Sequence, residues 1–110
     1  MEDIYSIKQI SQQIGLSEDT IRYYEKIELL PKVKRNNIGY RAYSLEDRDL
    51  LNNIVCLKNT GMTLNQIKLY VKLNTISERY KMLLTHKKNI EDQMNELQRI
   101  IEIKLKAMEE

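Results

Sequence analysis

Two stretches of the sequence contain the arginine, lysine and tyrosine side chains that could contact a nucleic acid. Arg22 and Tyr23 stand together in the first stretch, and residues 32–43 form the second, with four basic residues and no acidic one. Arginine can bond a phosphate or the O6 and N7 edge of guanine, and tyrosine can reach a phosphate or stack on a sugar. The net charge of +2 is too small to indicate nucleic-acid binding by itself, but its concentration in residues 32–43 favours it.

We therefore predict a DNA contact for nine residues, each of which has a plainer alternative. Ser17 can act purely as a helix cap, the helix residues can form an ordinary solvated face, and a basic run is often only a solvated loop. Tyr24 shares a helical face with Ile21, so we expect it in the core, and Tyr43 is equally suited to packing between the hairpin and the core. The predicted DNA contacts are Ser17, Glu18, Thr20, Arg22, Tyr23, Lys34, Arg35, Tyr40 and Arg41.

The first stretch has the pattern of two short helices joined by a tight turn. Ser6 can cap the first helix, with Gln9 three residues later to complete a capping box, and Gly15 can end that helix with a positive φ. Ser17 can then cap the second helix, so that only Gly15 and Leu16 separate the last residue of the first helix from this cap. This spacing predicts a helix-turn-helix over residues 6–29.

The second stretch is predicted to form a wing beside the helix-turn-helix. Residues 32–43 alternate weakly around Asn36, Asn37 and Gly39, which suit a hairpin loop with positive φ. Serine and threonine caps then open a helix over 45–60 and another over 64–73. Together these elements predict a DNA-binding domain over residues 1–75.

The last third of the chain, residues 77–110, contains neither glycine nor proline and carries one apolar stripe with alternating spacings of four and three, interrupted at Lys87 and Lys104. Such a stripe is typical of a coiled coil, and about 30 helical residues make a rod of roughly 45 Å. A lone helix of this kind needs a partner, so we predict a dimerisation helix, while the spacing alone leaves parallel and antiparallel pairing open. The predicted dimerisation residues are Leu83, Ile90, Met94, Leu97, Ile101 and Met108.

The composition predicts a mainly α protein without a metal or other cofactor. Hydrophobic residues make up 42% of the chain, and three Gly and one Pro are too few for the turns of a sheet-rich fold. No apolar run reaches membrane-spanning length and the first 15 residues lack a signal peptide, so we expect a cytoplasmic protein. One Cys and one His exclude a disulfide framework or zinc site within a chain. A cysteine enzyme would need a base near its thiol, and the single His lies thirty residues from Cys56 in the sequence. We therefore expect no enzyme.

Motifs along the chain resemble the MerR family of bacterial transcription regulators. The resemblance covers the whole chain and implies a winged helix-turn-helix followed by a long helix that pairs antiparallel in a homodimer. It also implies a pseudo-palindromic promoter operator, RNA polymerase as a partner, and a signal that makes the dimer bend and untwist the DNA. The motifs are Ile-Gly-Leu-Ser (14–17), Thr-Ile-Arg-Tyr-Tyr-Glu (20–25), Leu-Leu-Pro (29–31), Gly-Tyr-Arg-Ala-Tyr-Ser (39–44) and Asn-Thr-Gly-Met-Thr-Leu-Asn-Gln-Ile (59–67).

A shorter motif, residues 56–62, resembles the branch of that family that responds to aldehydes and other thiol-reactive electrophiles. It implies that Cys56 senses a small reactive molecule, which requires thiolate character and access. By its sequence context alone, Cys56 lies between Val55 and Leu57 in an apolar helix and would be a buried, inert thiol. The alternatives to a sensing regulator are a MerR-like regulator without thiol sensing and a coiled-coil interaction adaptor.

The sequence departs from the family pattern in three places. Glu28 stands where the family commonly has Gly, and a left-handed backbone there would add strain of roughly 1 kcal/mol or more. Ala42 replaces a frequent aromatic residue in the wing. Residues 74–80 lack the cysteines of the metal-sensing members.

Overall fold

The computed structural model describes residues 4–109 and divides the chain into two units, with the division between Lys72 and Leu73. The fold is mainly helical with a small sheet, as the composition predicted. Within the described residues, no helix is long and apolar enough to span a membrane. The elements are β1 (Ile4–Tyr5), α1 (Ile7–Ile14), α2 (Glu18–Lys26), β2 (Lys34–Arg35), β3 (Arg41–Ser44), α3 (Leu45–Asn59), α4 (Leu64–Lys72) and α5 (Ile76–Glu109).

The predicted caps form and fix the helix-turn-helix. The Ser6 hydroxyl accepts from the Gln9 amide at 3.1 Å, and the Gln9 side chain accepts from the Ser6 amide at 2.8 Å. Gly15 ends α1 with a φ of 81°. The Ser17 hydroxyl accepts from the amide of Thr20 at 3.1 Å and so opens α2. These local bonds set the short connection between the helices, residues 15–17.

The sheet joins the wing to the N-terminal strand of the first unit. Strand β3 lies between β1 and β2 and pairs antiparallel with both. The wing strands β2 and β3 fall within or next to the predicted hairpin, but β1 was not predicted, because two residues carry no readable periodicity. The paired residues are Ile4 with Ser44, Tyr5 with Tyr43, Lys34 with Ala42, and Arg35 with Arg41.

A compact apolar core lies behind the helix-turn-helix and the wing. The prediction that Tyr24 belongs to the core is confirmed, since only 2% of the residue is exposed. Tyr43, for which the sequence allowed either core packing or a DNA contact, is also fully buried. The largest fully buried side chains are Tyr24, Tyr43, Ile10, Ile21, Leu29, Leu51, Ile54 and Ile67.

The chain leaves α2 through a left-handed residue. Glu28 has a φ of 64°, and the next amide, that of Leu29, donates to the Tyr24 carbonyl at 2.8 Å. Leu29 and Leu30 are both buried, so the backbone must reverse at Glu28 to bring them into the core. The expected strain at Glu28 is therefore present, and the burial of the two leucines holds it in place.

The second unit consists of α5, a helix of 34 residues, which is roughly 51 Å long at 1.5 Å per residue. Its first turn is capped by Thr75, whose hydroxyl accepts from the Glu78 amide at 3.1 Å. None of its described residues is buried. Most of the predicted stripe is exposed, from 38% at Leu83 to 83% at Met108. The apolar surface of α5 is thus largely exposed to solvent among its described residues.

Candidate nucleic-acid interface

Helix α2 presents a polar side to solvent because its apolar residues are used in the core. Ile21 and Tyr24 are buried, and helical geometry places the intervening residues on the opposite side. Arg22, Tyr23 and Lys26 are exposed there. Helix α2 therefore exposes basic and aromatic side chains while Ile21 and Tyr24 keep it packed on the core.

Arg22 is held by acids on its own helix. Its guanidinium donates to Asp19 at 3.0 Å and to Glu18 at 3.5 Å. The side chains of Arg22 and Glu18 are 44% and 43% exposed, and that of Asp19 is 97% exposed. Exposed pairs of this kind contribute at most about 1 kcal/mol. Arg22 can therefore exchange these carboxylates for a phosphate or a guanine edge at little cost.

The N-terminal turn of α2 contains the other predicted contacts. Ser17 bonds the Thr20 amide, and the two hydroxyl oxygens lie 2.8 Å apart. Ser17 therefore caps α2, and this bond uses the same hydroxyl that a base contact would need. Glu18 is partly exposed beside them and could accept from the N4 amino group of cytosine.

Hydrogen bonds within the wing loop fix its shape. The Asn36 side-chain oxygen accepts from the amides of Ile38 and Tyr40, each at 3.0 Å. Arg35 donates to the Gly39 carbonyl at 2.8 Å, and Gly39 has a φ of 93°, which a side chain would disfavour. The loop thereby presents Tyr40, which is 68% exposed. Lys34 is also exposed, on β2.

Arg41 has a different environment from the other predicted contacts. Its Nε donates to Glu25 Oε2 at 2.6 Å, and the two side chains are 26% and 16% exposed. Glu25 lies on α2 and Arg41 opens β3, so this ion pair connects the predicted recognition helix to the wing. The remaining exposure of Arg41 is the smallest among the four basic residues predicted to contact DNA.

Four of the nine predicted residues come together around a small basic cleft between α1, α2 and the wing. The cleft has a volume of about 190 Å³, and its rim combines guanidinium groups with a phenol ring. A second cleft of about 390 Å³ shares Arg22 and Arg41 and also includes Glu25 and Lys32. The residues around the basic cleft are Ser6, Ile7, Lys8, Arg22, Arg35, Tyr40 and Arg41.

Tyr43 lies in β3 beneath this surface. Burial raises the pKa of the Tyr43 hydroxyl above 10.0, the negative charge of Glu25 raises it further, and the positive charges of Arg41 and Arg22 partly offset the increase. Within residues 4–109 its buried oxygen has no hydrogen-bond partner. Tyr43 therefore supports the surface by packing, and it stays neutral near pH 7.

Cys56 does not lie in the core. The thiol is free and exposed on α3, although the neighbouring Leu57 is buried. The expectation that Cys56 is buried is therefore wrong for this chain. Helical geometry accounts for the difference, because adjacent residues on a helix point about 100° apart. One of the two requirements for a sensing thiol, access, is met.

Two residues of this surface, Glu25 and Lys8, were not predicted from the sequence. Glu25 had no assigned role, because its partner lies 16 residues later and no local pattern announces the pair. Lys8 adds a third element to the basic cleft from the first turn of α1. A signal for Lys8 was present, since a basic residue follows the Ser6 cap closely, but only the fold brings it near the wing.

Comparisons with known proteins agree with this geometry. A family model described as the MerR HTH family regulatory protein matches residues 5–73. An uncharacterised HTH-type transcriptional regulator of Haemophilus influenzae is 36% identical over 104 residues, which cover 90% of this chain and 77% of that protein. The HTH-type transcriptional regulator AdhR of Bacillus subtilis is 37% identical over 97 residues, covering 88% and 66%.

Solved structures give the same result. The crystal structure of HiNmlR, described as a MerR family regulator lacking the sensor domain, bound to promoter DNA, is similar with a TM-score of 0.73 at 35% identity. The match covers 91% of this chain and 80% of that one. A MerR family transcriptional regulator from Bacillus thuringiensis has a TM-score of 0.75 at 30% identity and covers 98% and 100%.

Proposed function

This chain belongs to the MerR HTH family of regulatory proteins, and we propose that it acts as a homodimer on a pseudo-palindromic promoter operator and is switched by a small reactive molecule such as an aldehyde. In this proposal residues 1–75 read DNA and residues 77–110 dimerise. The carrying observation is that Arg22 from α2 and Arg35 and Tyr40 from the wing line one basic cleft of about 190 Å³. A helix and a hairpin that share a basic surface can bind the groove and the backbone of one duplex together.

Each part of the surface has a distinct task. Helix α2 enters the major groove, where Arg22 leaves Asp19 and Glu18 for a guanine edge or a phosphate. The wing supplies phosphate or minor-groove contacts from Lys34, Arg35 and Tyr40. Phosphate contacts set affinity and register, whereas base edges set sequence preference. Tyr23, half-exposed beside Arg22, reaches the sugar-phosphate backbone.

The exposed stripe of α5 is the proposed dimer interface, with a second copy of the chain as its partner. Leu97 and Ile101 are 58% and 50% exposed, and a one-stripe helix of 34 residues buries this surface by pairing with another. The family resemblance favours antiparallel pairing. A two-fold dimer then presents two copies of α2 to successive turns of a two-fold operator.

The DNA-binding part is tested by fluorescence anisotropy with a duplex from the promoter upstream of the gene. We expect wild type to prefer this duplex over a scrambled one and Arg22→Ala to lose affinity. Lys88→Ala is the matched control, because it removes an equal charge from an exposed site on α5. Equal weak binding of both duplexes by wild type and Arg22→Ala would rule out sequence-specific recognition.

Dimerisation is tested by analytical ultracentrifugation. Replacing Leu97 and Ile101 by Glu places charges in the proposed seam, and we expect the double variant to sediment as a monomer. The control is Asn95→Glu, which adds a charge to an exposed residue of the same helix away from the stripe. A monomeric wild type at micromolar concentration, or a dimer that survives the double substitution, would contradict the proposed seam.

The sensing step is proposed to be addition of the Cys56 thiol to an aldehyde. The sulfur forms a bond to the carbonyl carbon, and the carbonyl oxygen takes the thiol proton, which gives a hemithioacetal without any oxidant. The exposure of Cys56 supports access, and its place on α3, a helix that packs on the rest of the reader, offers a route to the DNA-binding surface. Cys56→Ser should abolish aldehyde-induced transcription from the promoter, and an unchanged response would exclude the thiol.

The output step involves RNA polymerase and the shape of the promoter. The family resemblance implies a dimer placed between promoter elements and a signal that makes it bend and untwist the DNA. Bending a site of 20–30 base pairs costs about 1–6 kcal/mol, so the signalled state must bind bent DNA more tightly by a similar amount. In vitro transcription with purified polymerase, with and without aldehyde, measures the result; an aldehyde effect in the absence of any change in DNA shape would contradict this step.

A further inference from the structure

The ion pair between Glu25 and Arg41 differs from the other charged contacts of the DNA-facing surface. Arg22 finds its acids on its own helix, whereas Arg41 reaches an acid on a different element. The Glu25–Arg41 bond is 2.6 Å long, and the two side chains are only 16% and 26% exposed. A short, charge-assisted bond that is partly shielded from water is stronger and more directional than an exposed pair.

The Glu25–Arg41 pair links two separate elements of the fold, α2 and β3. Glu25 lies in the last turn of α2, next to the buried Tyr24. Arg41 opens β3, the strand on which the wing loop is built, and pairs across the hairpin with Arg35. The bond therefore crosses the junction between the two elements that must meet DNA together.

We infer that Glu25 is a positioning residue, which holds the wing in register with α2 through Arg41, and that Arg41 contributes to DNA binding through this bond rather than by contacting a phosphate. The inference rests on the proposed function, since it concerns the same DNA-binding surface. It changes the role expected for Arg41. It also assigns a role to Glu25, an acid on a surface that must approach a polyanion.

The sign of the effect makes the inference testable. An acid near DNA repels phosphates, so removing it should ordinarily strengthen binding. Asp19→Asn is the matched control, because Asp19 is on the same helix, carries the same charge and is 97% exposed. If Glu25 positions the wing, Glu25→Gln weakens binding even though it removes a negative charge, while Asp19→Asn leaves binding equal or tighter.

The experiment measures anisotropy with the full-length protein and the promoter duplex over a series of salt concentrations. We expect Glu25→Gln and Arg41→Gln each to weaken binding about tenfold, the size of a lost charge-assisted bond, with the salt dependence of wild type. The double variant should be no weaker than either single variant. Exchanging the pair, Glu25→Arg with Arg41→Glu, should recover most of the affinity.

Two results would overturn the inference. One is binding by Glu25→Gln that is as tight as wild type or tighter. The other is a salt slope for Arg41→Gln that falls by about 0.9 per protomer, which marks a lost phosphate contact. If Glu25→Gln does not fold, as judged by circular dichroism, the exchanged pair decides, because it restores attraction but would place a carboxylate at any phosphate contact.

If the proposed function itself is wrong, the same anisotropy experiment gives a different result from the two above. A folded wild type that does not distinguish the promoter from a scrambled duplex contradicts sequence-specific binding itself, and the positioning role falls with it. A wild type that does distinguish them, together with a tight Glu25→Gln variant, contradicts only the role of Glu25.

Discussion

The ammonium group of Lys58 lies 3.3 Å from the phenol oxygen of Tyr24 and 5.7 Å from the centre of its ring. Lys58 belongs to α3, two residues after Cys56, and Tyr24 belongs to α2. The contact joins the helix that carries the exposed thiol to the helix proposed to read DNA. Any shift of α3 that follows modification of Cys56 would therefore change the contact with Tyr24, a buried residue of α2.

The Lys58–Tyr24 contact should appear as a coupling in a double-mutant cycle. Lys58→Met and Tyr24→Phe each remove part of it while preserving most of the packing, and we expect an interaction free energy of about 0.5–1 kcal/mol because the lysine is largely exposed. Urea unfolding of the four proteins measures it. Lys88→Met, at a lysine that pairs with Asp92 on α5, should combine additively with Tyr24→Phe; similar values for both lysines would contradict a specific contact.

The cap at Ser17 allows its structural role to be separated from its proposed DNA contact. Ser17→Ala removes the bond to the Thr20 amide and should lower the free energy of unfolding by about 1 kcal/mol. Ser17→Asp keeps a capping acceptor and should fold as stably as wild type, yet bind the promoter more weakly because it adds a negative charge at the groove. Thermal unfolding and anisotropy measure the two effects.

A matched control exists at the start of α4. Thr63 caps that helix through the Gln66 amide at 3.2 Å, and it is not part of the basic cleft. Thr63→Asp should leave both stability and promoter affinity close to wild type. If Thr63→Asp weakened DNA binding as much as Ser17→Asp, net charge alone would explain the loss, and Ser17 would not lie at the interface.

The helices of the first unit could be predicted from the sequence because the signals that start and end them are local. Ser6, Ser17 and Ser44 each bond an amide three residues away, so a short window contains the whole interaction. The wing was predicted from the weak alternation of residues 32–43 around Asn36 and Gly39, on which the shape of its loop depends.

Features that depend on distant residues could not be predicted in this way. Strand β1 is two residues long and is defined by its pairing with β3, almost forty residues later. The Glu25–Arg41 pair and the place of Lys8 in the basic cleft likewise exist only after folding. For Cys56, apolar neighbours in sequence suggested burial, whereas the orientation of α3 decides exposure.

Glu28 offers a direct measure of the strain stored after α2. Glu28→Gly allows the same φ of 64° without the steric cost of a side chain, so we expect the free energy of unfolding to rise by about 1 kcal/mol, less the added chain entropy of glycine. Gln12→Gly, at an exposed site inside α1, should instead lower it by a similar amount. Denaturant unfolding compares the two, and a loss of stability in both variants would mean that the side chain of Glu28 makes a compensating contact.

The buried hydroxyl of Tyr43 predicts a loss of stability at high pH. Burial and the charge of Glu25 raise its pKa above 10.0, so the folded state holds this proton more tightly than the unfolded state does. Its contribution is fully present below pH 10 and is lost as the pH rises through the folded pKa.

Tyr43→Phe should be neutral or slightly stabilising near pH 7, because the oxygen has no partner among residues 4–109. It should also lose less stability than wild type between pH 10 and 11. Tyr40→Phe, at a residue that is 68% exposed, should follow the wild-type curve, and identical curves for all three proteins would show that Tyr43 ionises as freely as a solvent-exposed tyrosine.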